Sequence, residues 1–309
     1  MKNIATLTMN PTIDVAYEVP RMVHTHKMRT FGEYHCPGGG GINVARVFVR
    51  LGGDARCYYL SGGATGVALD GLVDLHQLVR RNIPISGQTR VATVVLEQKT
   101  GKEYRFVPPG PPVSAQECDK CLEALSRVDC DMLVASGSLP PGVPSDFYAS
   151  VGKLMRARGI EFIVDTSGPA LAATLAAGGV RLIKPSLGEL GQLCGRELES
   201  IEDIAEASMD IVQRGQAELV AVTMGSHGAV LARKEGTLFR PAVSVEARSA
   251  VGAGDSFLAA MVHALARDWD PVDAFRYGIA AGSAAVLTPG TNLAHANDIE
   301  ELFALVASD

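Results

Sequence analysis

The segment Val251-Gly252-Ala253-Gly254-Asp255-Ser256 carries the chain's strongest chemical signal. Two glycines around one alanine leave the backbone bare, and the apolar spacing over residues 255–267 predicts a helix that begins there. Amides at a helix start have no intrahelical acceptor, so Gly252, Ala253 and Gly254 could cradle a phosphoryl group in transfer. Asp255, in the first turn, could accept the proton of an attacking hydroxyl, and the field at a helix start favours its ionised form. The plainer reading is a helix N-cap, for which a preceding Gly-x-Gly loop is not needed. A second run, Gly38-Gly39-Gly40-Gly41-Ile42-Asn43, opens another predicted helix. It permits either a tight turn or the close approach of a ligand to the backbone. It is not a dinucleotide fingerprint, because it does not follow the first strand and no suitably placed acidic residue ends a later one.

Polar residues recur where apolar runs of strand length end. Asn10 and Asp14 follow residues 4–7, Ser136-Gly137-Ser138 follow 132–135, and Asp165 follows 162–164. Lys184 follows 182–183, and Thr223-Met224-Gly225 follow 219–222; residues 57–60 form one more candidate strand. In an open parallel sheet, ligands bind beyond the carboxyl ends of the strands. Strand ends need turns in any case, but that does not easily explain Asp165 and Lys184, which directly follow apolar runs. Helical spacing separates these strands at 41–51, where Val44, Val47, Phe48 and Leu51 share a face, and at 66–80, 115–127 and 200–214. Residues 255–267, 271–287 and 298–307 make the C-terminal third helical. The expected fold is α/β, a three-layer α/β/α arrangement around a mostly parallel sheet, in a single domain over residues 1–309. Residues 12–35 and 88–107 break the rhythm with β-type alternation around the turn Lys99-Thr100-Gly101-Lys102. They are read as a small projecting sheet.

Composition narrows the class. The chain has 309 residues, of which 47% are hydrophobic and 20% charged, a globular balance. A net charge of −6 disfavours non-specific nucleic-acid binding, so an anionic substrate must be met by individually placed cations. No stretch approaches the about 18 apolar residues of a membrane span, and no signal peptide is visible, so a cytoplasmic protein is expected. Six scattered cysteines suggest no disulfide framework. Cys118 and Cys121 form a C-x-x-C with no partner pair at zinc spacing, and read as two thiols on a helix. P-loop, zinc-protease and α/β-hydrolase signatures are absent.

Residues 38–46 (GGGGINVAR), 136–142 (SGSLPPG) and 251–256 (VGAGDS), in this order, resemble the ribokinase-like carbohydrate kinases of phosphofructokinase-B type. Gly62-Gly63-Ala64-Thr65-Gly66 and Tyr104-Arg105-Phe106 look most like the minor 6-phosphofructokinase branch. Relatives acting on fructose 1-phosphate or tagatose 6-phosphate share much of the pattern, and kinases of unphosphorylated sugars share the catalytic apparatus. The resemblance implies ATP-dependent phosphorylation of fructose 6-phosphate, with Asp255 as catalytic base and Gly252, Ala253 and Gly254 as anion hole. It implies that Asp14, Gly38, Gly39 and Asn43 hold the sugar with Ser138 nearby, and that Lys27, Arg90 and Arg105 receive its phosphate. Lys184, Ser186, Thr223, Gly225 and Gly228 match the nucleotide side. Glu189 matches a residue that acts through water on Mg2+, and Ser249, Val251, Ala285, Thr288 and Gly290 match a K+ loop. Two positions depart from the pattern: Ser186 stands where the family has Asn, which implies an altered magnesium response, and Asn292 stands where the branch tends to have Arg. The projecting sheet matches a lid that closes on the sugar and clasps a second copy, implying a homodimer. Two rivals remain on residues alone. A nicotinamide oxidoreductase lacks its fingerprint, and a silent sugar or nucleotide sensor would not need Asp255.

Overall fold

The computed structural model describes residues 1–288, 290 and 292–307. The chain opens with β1 (Ile4–Thr8), β2 (Thr12–Val19), β3 (Phe31–Gly38) and α1 (Gly40–Arg50). Then come β4 (Ala55–Ser61), α2 (Gly63–Leu75), β5 (Val79–Pro84), β6 (Arg90–Glu97) and β7 (Lys102–Phe106). The middle alternates: α3 (Ala115–Ser126), β8 (Met132–Ser136), α4 (Phe147–Ala157), β9 (Glu161–Asp165), α5 (Gly168–Ala177) and β10 (Val180–Ile183). After α6 (Leu187–Cys194) and α7 (Ile201–Gln213) run β11 (Ala217–Thr223), β12 (Ala229–Arg233) and β13 (Gly236–Arg240). The helices α8 (Ala253–Leu265), α9 (Pro271–Ala285) and α10 (Ala296–Ala307) end it.

Nine strands form one sheet in the order β13-β12-β11-β10-β9-β8-β1-β4-β5. The β11–β12 and β12–β13 pairs are antiparallel, and the remaining pairs are parallel. Parallel pairing requires crossovers, and crossover helices cover both faces, so the central strands must be apolar on both sides. β1 (IATLT) and β8 (MLVAS) are accordingly buried at every residue. Apolar residues of α1, α2, α8, α9 and α10 pack one face, and those of α3 to α7 the other. Local chemistry fixes the helix starts: Ser114 with Glu117, Ser186 with Glu189 and Ser200 with Asp203 each form a reciprocal capping box. α8 is buried at ten residues, Ser256 through Leu265, and small side chains such as Ala260 and Ala281 let it pack closely on α9.

The second sheet has the order β3-β2-β6-β7, with β2 and β6 parallel and the outer pairs antiparallel. It leaves the main sheet where β1 ends, and Arg90 fastens both of its roots. The guanidinium donates to the carbonyls of Asn10 at 2.7 Å and Pro11 at 3.4 Å on one side, and of Pro108 at 2.9 Å on the other.

Some expectations required correction. The helix expected over 66–80 stops at Leu75, because Gln77 turns with φ 57° and the chain continues as the edge strand β5. β5 is polar and mostly exposed, so strand periodicity is masked. The hairpin β12–β13 extends the sheet beyond the last strand expected at 219–222, and α4, α5 and α6 fill crossovers not singled out in the sequence. Cys118 and Cys121 are buried free thiols on α3, and no cluster of metal-ligating side chains occurs among the described residues. Among those residues, no helix is long and apolar enough to cross a membrane.

Candidate active site

α8 begins with Gly252 as N-cap, at φ 72° and ψ 6°, a conformation that a side chain resists. Ala253, Gly254 and Asp255 make its first turn, where amides have no helical acceptor. Asp255 therefore is not the cap, and its side chain makes no capping bond. Its Oδ2 instead accepts a hydrogen bond from Asn43 Nδ2 of α1 at 2.8 Å. The capping alternative raised by the sequence is thus removed by geometry.

The glycine run ahead of α1 explains how Asn43 arrives there. Gly39 has φ 105°, and a Cβ on Gly38 would overlap the Asp14 carboxylate. A Cβ on Gly41 would lie 2.6 Å from the Leu7 carbonyl oxygen. The start of α1 thus packs directly on β1 and on Asp14 of β2. Sequence left open a turn or a ligand loop; the glycines are required by packing that also assembles the site.

Electrostatics follow from crowding acids and bases at one end of the sheet. Burial pushes the Asp255 carboxyl above its ordinary value, against the Asn43 hydrogen bond and the charges of Lys184 and Arg46. The helix start was expected to favour the ionised form; the net direction is the opposite, with burial the largest cause, which makes Asp255 a stronger base once ionised. Asp14 is pushed up to about 6, chiefly by burial, with Arg46 and Arg90 pulling down and Asp255 adding to the rise. Asp165 is likewise pushed up to about 6 by burial, opposed by Lys184, while Asp255 and Glu189 raise it further. Lys184 Nζ lies 3.4 Å from Asp165 Oδ1. Burial would lower the Lys184 value, but Asp165, Asp255 and Glu189 outweigh it and hold the ammonium charged. A Cβ on Gly254 would sit 3.1 Å from Lys184 Nζ, so this cation lies directly beside the start of α8.

Thr223, Gly225 and Gly228 line a cleft of 500 Å³ together with Ala253 and Gly254. Three residues expected on the nucleotide side and two of the expected anion hole therefore share one cavity, whereas Lys184, Ser186 and Gly252 do not line it. Ser186 bridges to Thr223 in the sheet and caps α6. Its amide donates to Glu189 Oε2 at 2.7 Å, and its hydroxyl accepts from the Glu189 amide at 3.3 Å. Ser in place of Asn keeps this helix start, since both cap well. A larger cleft of 660 Å³, bordered by Cys194, Arg196 and Arg214, shares no residue with this site.

On the sugar side, Ser138 Oγ accepts from Asn10 Nδ2 at 3.3 Å, and the Asn10 Oδ1 is buried without a partner. The expected phosphate cations are less uniform. Arg90 is committed to the three backbone carbonyls described above. Arg105 is exposed on β7 and pairs with Glu103 at 3.5 Å. Lys27 lies exposed in the loop between β2 and β3, not on a strand of the second sheet as expected. Glu97 anchors the start of that loop by accepting from the Met22 amide at 3.0 Å and the Thr100 hydroxyl at 2.7 Å.

The segments expected to form a cation loop do meet: the Arg248 amide donates to the Val286 carbonyl at 2.7 Å, and the Ser249 amide to the same oxygen at 3.4 Å. Thr288 Oγ1 donates to the Ala285 carbonyl at 2.8 Å, and the Val251 amide to Ser249 Oγ at 3.3 Å. Gly290 has φ 57°. Near Asn292, where the branch pattern has Arg, Arg50 of α1 donates to the carbonyls of Asn292 at 2.7 Å and Ala294 at 3.1 Å.

A three-layer α/β core with a second small sheet, and a glycine-started helix whose Asp255 pairs with Asn43 of α1, define a ribokinase-like architecture. The chain belongs to the pfkB family of carbohydrate kinases, which it matches over residues 7–297. It is 40% identical over 306 residues to the ATP-dependent 6-phosphofructokinase isozyme 2 of Mycobacterium tuberculosis, covering 98% of this chain and 90% of that one. Its fold matches the crystal structure of phosphofructokinase-2 from Escherichia coli in complex with potassium, with a TM-score of 0.95 and 37% identity over 99% of this chain and 100% of that one. The fructose-6-phosphate complex of the same enzyme matches with a TM-score of 0.94 and 36% identity over the same shares.

Proposed function

We propose that this chain is an ATP-dependent 6-phosphofructokinase that transfers the γ-phosphoryl group of ATP to the 1-hydroxyl of fructose 6-phosphate. The observation that carries the reading is the Asn43–Asp255 pair, 2.8 Å long, which joins the first turn of α1 to the first turn of α8. Asp255 accepts the hydroxyl proton as the oxygen attacks in line. The amides of Gly252, Ala253 and Gly254 receive the charge that develops on the transferring group. Asp14, Gly38, Gly39 and Asn43 hold the sugar hydroxyls, with Ser138 nearby. Lys184 stands beside the anion hole, and Thr223, Gly225 and Gly228 shape the nucleotide cleft.

Asp165 and Glu189 fit a hard divalent cation: both are carboxylates, and Asp165 feels the charge of Glu189. Glu189, through water, and Asp165 would hold Mg2+, which neutralises charge on the phosphate oxygens. The loop of Ser249, Val251, Ala285, Thr288 and Gly290 supplies oxygen donors suited to K+ beside the anion hole.

The second sheet acts as a lid over the sugar, with Arg105 and Lys27 as its phosphate-reading cations and Arg90 at its root. Closure would exclude water and so protect ATP from hydrolysis. Exposed apolar side chains on its strands suit a homodimer. Six free thiols accord with a cytosolic setting.

The test is turnover of Asp255→Asn, in which kcat should fall by about 10³-fold with ATP and sugar-phosphate binding retained. A kcat near the wild-type value would remove Asp255 from the role. A panel of fructose 6-phosphate, fructose 1-phosphate and tagatose 6-phosphate checks the substrate; fructose 6-phosphate should have the highest kcat/KM.

A further inference from the structure

α1 carries a buried arginine that neither the base nor the anion hole accounts for. Arg46 is 2% exposed. Its guanidinium donates to the Pro37 carbonyl at 3.1 Å, to Asn43 Oδ1 at 3.3 Å and to Cys36 Sγ at 3.2 Å, and its Nε has no partner. A buried cation is costly unless compensated. Among the described residues no carboxylate lies within 4.0 Å of the Arg46 guanidinium to form a salt bridge. Its compensation comes at longer range from Asp14 and Asp255, both of which feel its charge.

The contact with Asn43 has a second consequence. A carboxamide presents an acceptor at one end and donors at the other. With Oδ1 facing the guanidinium, Nδ2 must face Asp255. A flipped amide would set donors against donors and an acceptor against a carboxylate, losing both contacts. Arg46 thus determines which end of Asn43 meets Asp255.

We propose that Arg46 is a positioning residue for phosphoryl transfer: it orients the Asn43 carboxamide toward Asp255 and supplies the buried positive charge that balances Asp14 and Asp255. The proposal rests on Asp255 being the base. The charged surroundings are few. Asp255 faces Asn43 and Arg46 from α1, Lys184 after β10, Asp14 from β2 and Asp165 from β9. Around Arg46 stand Arg50 one turn along α1, Tyr34 and Cys36 of β3, and His76 after α2. His76 is held down to about 4 by burial and by the two arginines, so it stays neutral and adds no further positive charge.

The experiment measures kcat against pH with ATP and fructose 6-phosphate for Arg46→Met, Arg46→Gln and Arg46→Lys, with thermal melting and ATP binding to verify folding. Removing a cation raises the values of nearby carboxyls, so in the two neutral variants the acid limb should move up by about one pH unit. In Arg46→Met the plateau should also fall by about 10- to 100-fold through misplacement of Asn43, and by less in Arg46→Gln. Arg46→Gln guards against a folding failure of Arg46→Met, because it fills the space and can still donate to Asn43 while carrying no charge. Arg46→Lys should keep the limb in place while losing plateau rate, since it retains the charge but not the fork. An unmoved limb in a folded neutral variant, or a limb that shifts equally in Arg46→Lys, overturns the proposal. Asp255→Asn alongside separates the two readings, because wild-type turnover there sinks the base assignment itself.

Discussion

Asp14 holds a charge that the fold resists. Its carboxyl is pushed up to about 6 by burial, despite the opposing guanidinium groups of Arg46 and Arg90. The ordinary value is about 3.9, so the folded state binds the proton more tightly than the unfolded chain does. The stability linked to this group is therefore complete below about pH 4 and is lost as pH rises through about 6. At neutral pH the ligand-free protein bears this cost; under the proposed function, it keeps an acceptor ready for a sugar hydroxyl. Asp14→Asn should accordingly melt about 2–6 °C higher than wild type at about pH 8, with the difference vanishing near about pH 4.5. The same variant should lose kcat/KM for the sugar phosphate, a gain in stability at the expense of function. Melting curves at the two pH values decide it: a lower melting point for Asp14→Asn at the higher pH would mean that Arg46 and Arg90 need this anion more than burial opposes it.

At the scale of elements, the roots of the second sheet depend on one side chain. β2 and β6 run parallel from adjacent starts, and Arg90, the first residue of β6, ties Asn10 and Pro11 to Pro108. Sequence reading gave Arg90 to the substrate phosphate, because a cation on a lid strand suits that task; its bonds to three carbonyls add a hinge role that residue type cannot reveal. Arg90→Ala should speed amide exchange over residues 8–14 and 104–113 in the ligand-free enzyme, and raise KM for the sugar phosphate by about 10-fold or more. Unchanged exchange with a raised KM would return Arg90 to phosphate binding alone. The same limit explains what else was legible. The strand ends bearing Asp165, Lys184 and Thr223, and the helix starts at Gly40 and Ala253, were visible because apolar period and glycine placement are local signals; Asp14, read as following the first strand, lies instead within β2 of the second sheet. β5 was not visible, since an edge strand reading VRRNIP buries only Ile83. Nor was the burial of Arg46, which occupies a place in α1 that period alone cannot separate from a solvated one. Asp165 was flagged by position, but its role beside Lys184 and Glu189 needed the sheet order to bring β9 and β10 together.

For the whole molecule, the second sheet poses the remaining problem of exposed surface. Both β3 and β7 are edge strands, and edges invite pairing unless they are covered. Phe31 is 40% exposed and Phe106 is 53% exposed, and Tyr34 and Val91 on the same sheet are also open. Large apolar side chains gathered on a projecting sheet are what a second copy would cover, at about 800 Å² per partner for a stable interface. In a two-fold arrangement each substitution acts twice, so a single charge introduced there is counted on both sides. Wild-type protein should sediment as a dimer at micromolar concentration, and the double variant Phe31→Glu with Phe106→Glu should sediment as a monomer, because each buried, unpaired carboxylate costs several kcal/mol. Neither residue is placed near Asp255, so the variant should still bind ATP, while a lid that closes less fully should raise its rate of ATP hydrolysis without sugar. Sedimentation and a coupled ADP assay read both outcomes. A monomeric wild type, or a variant that keeps the dimer mass, would mean that the exposed face of the second sheet serves something other than a copy of this chain.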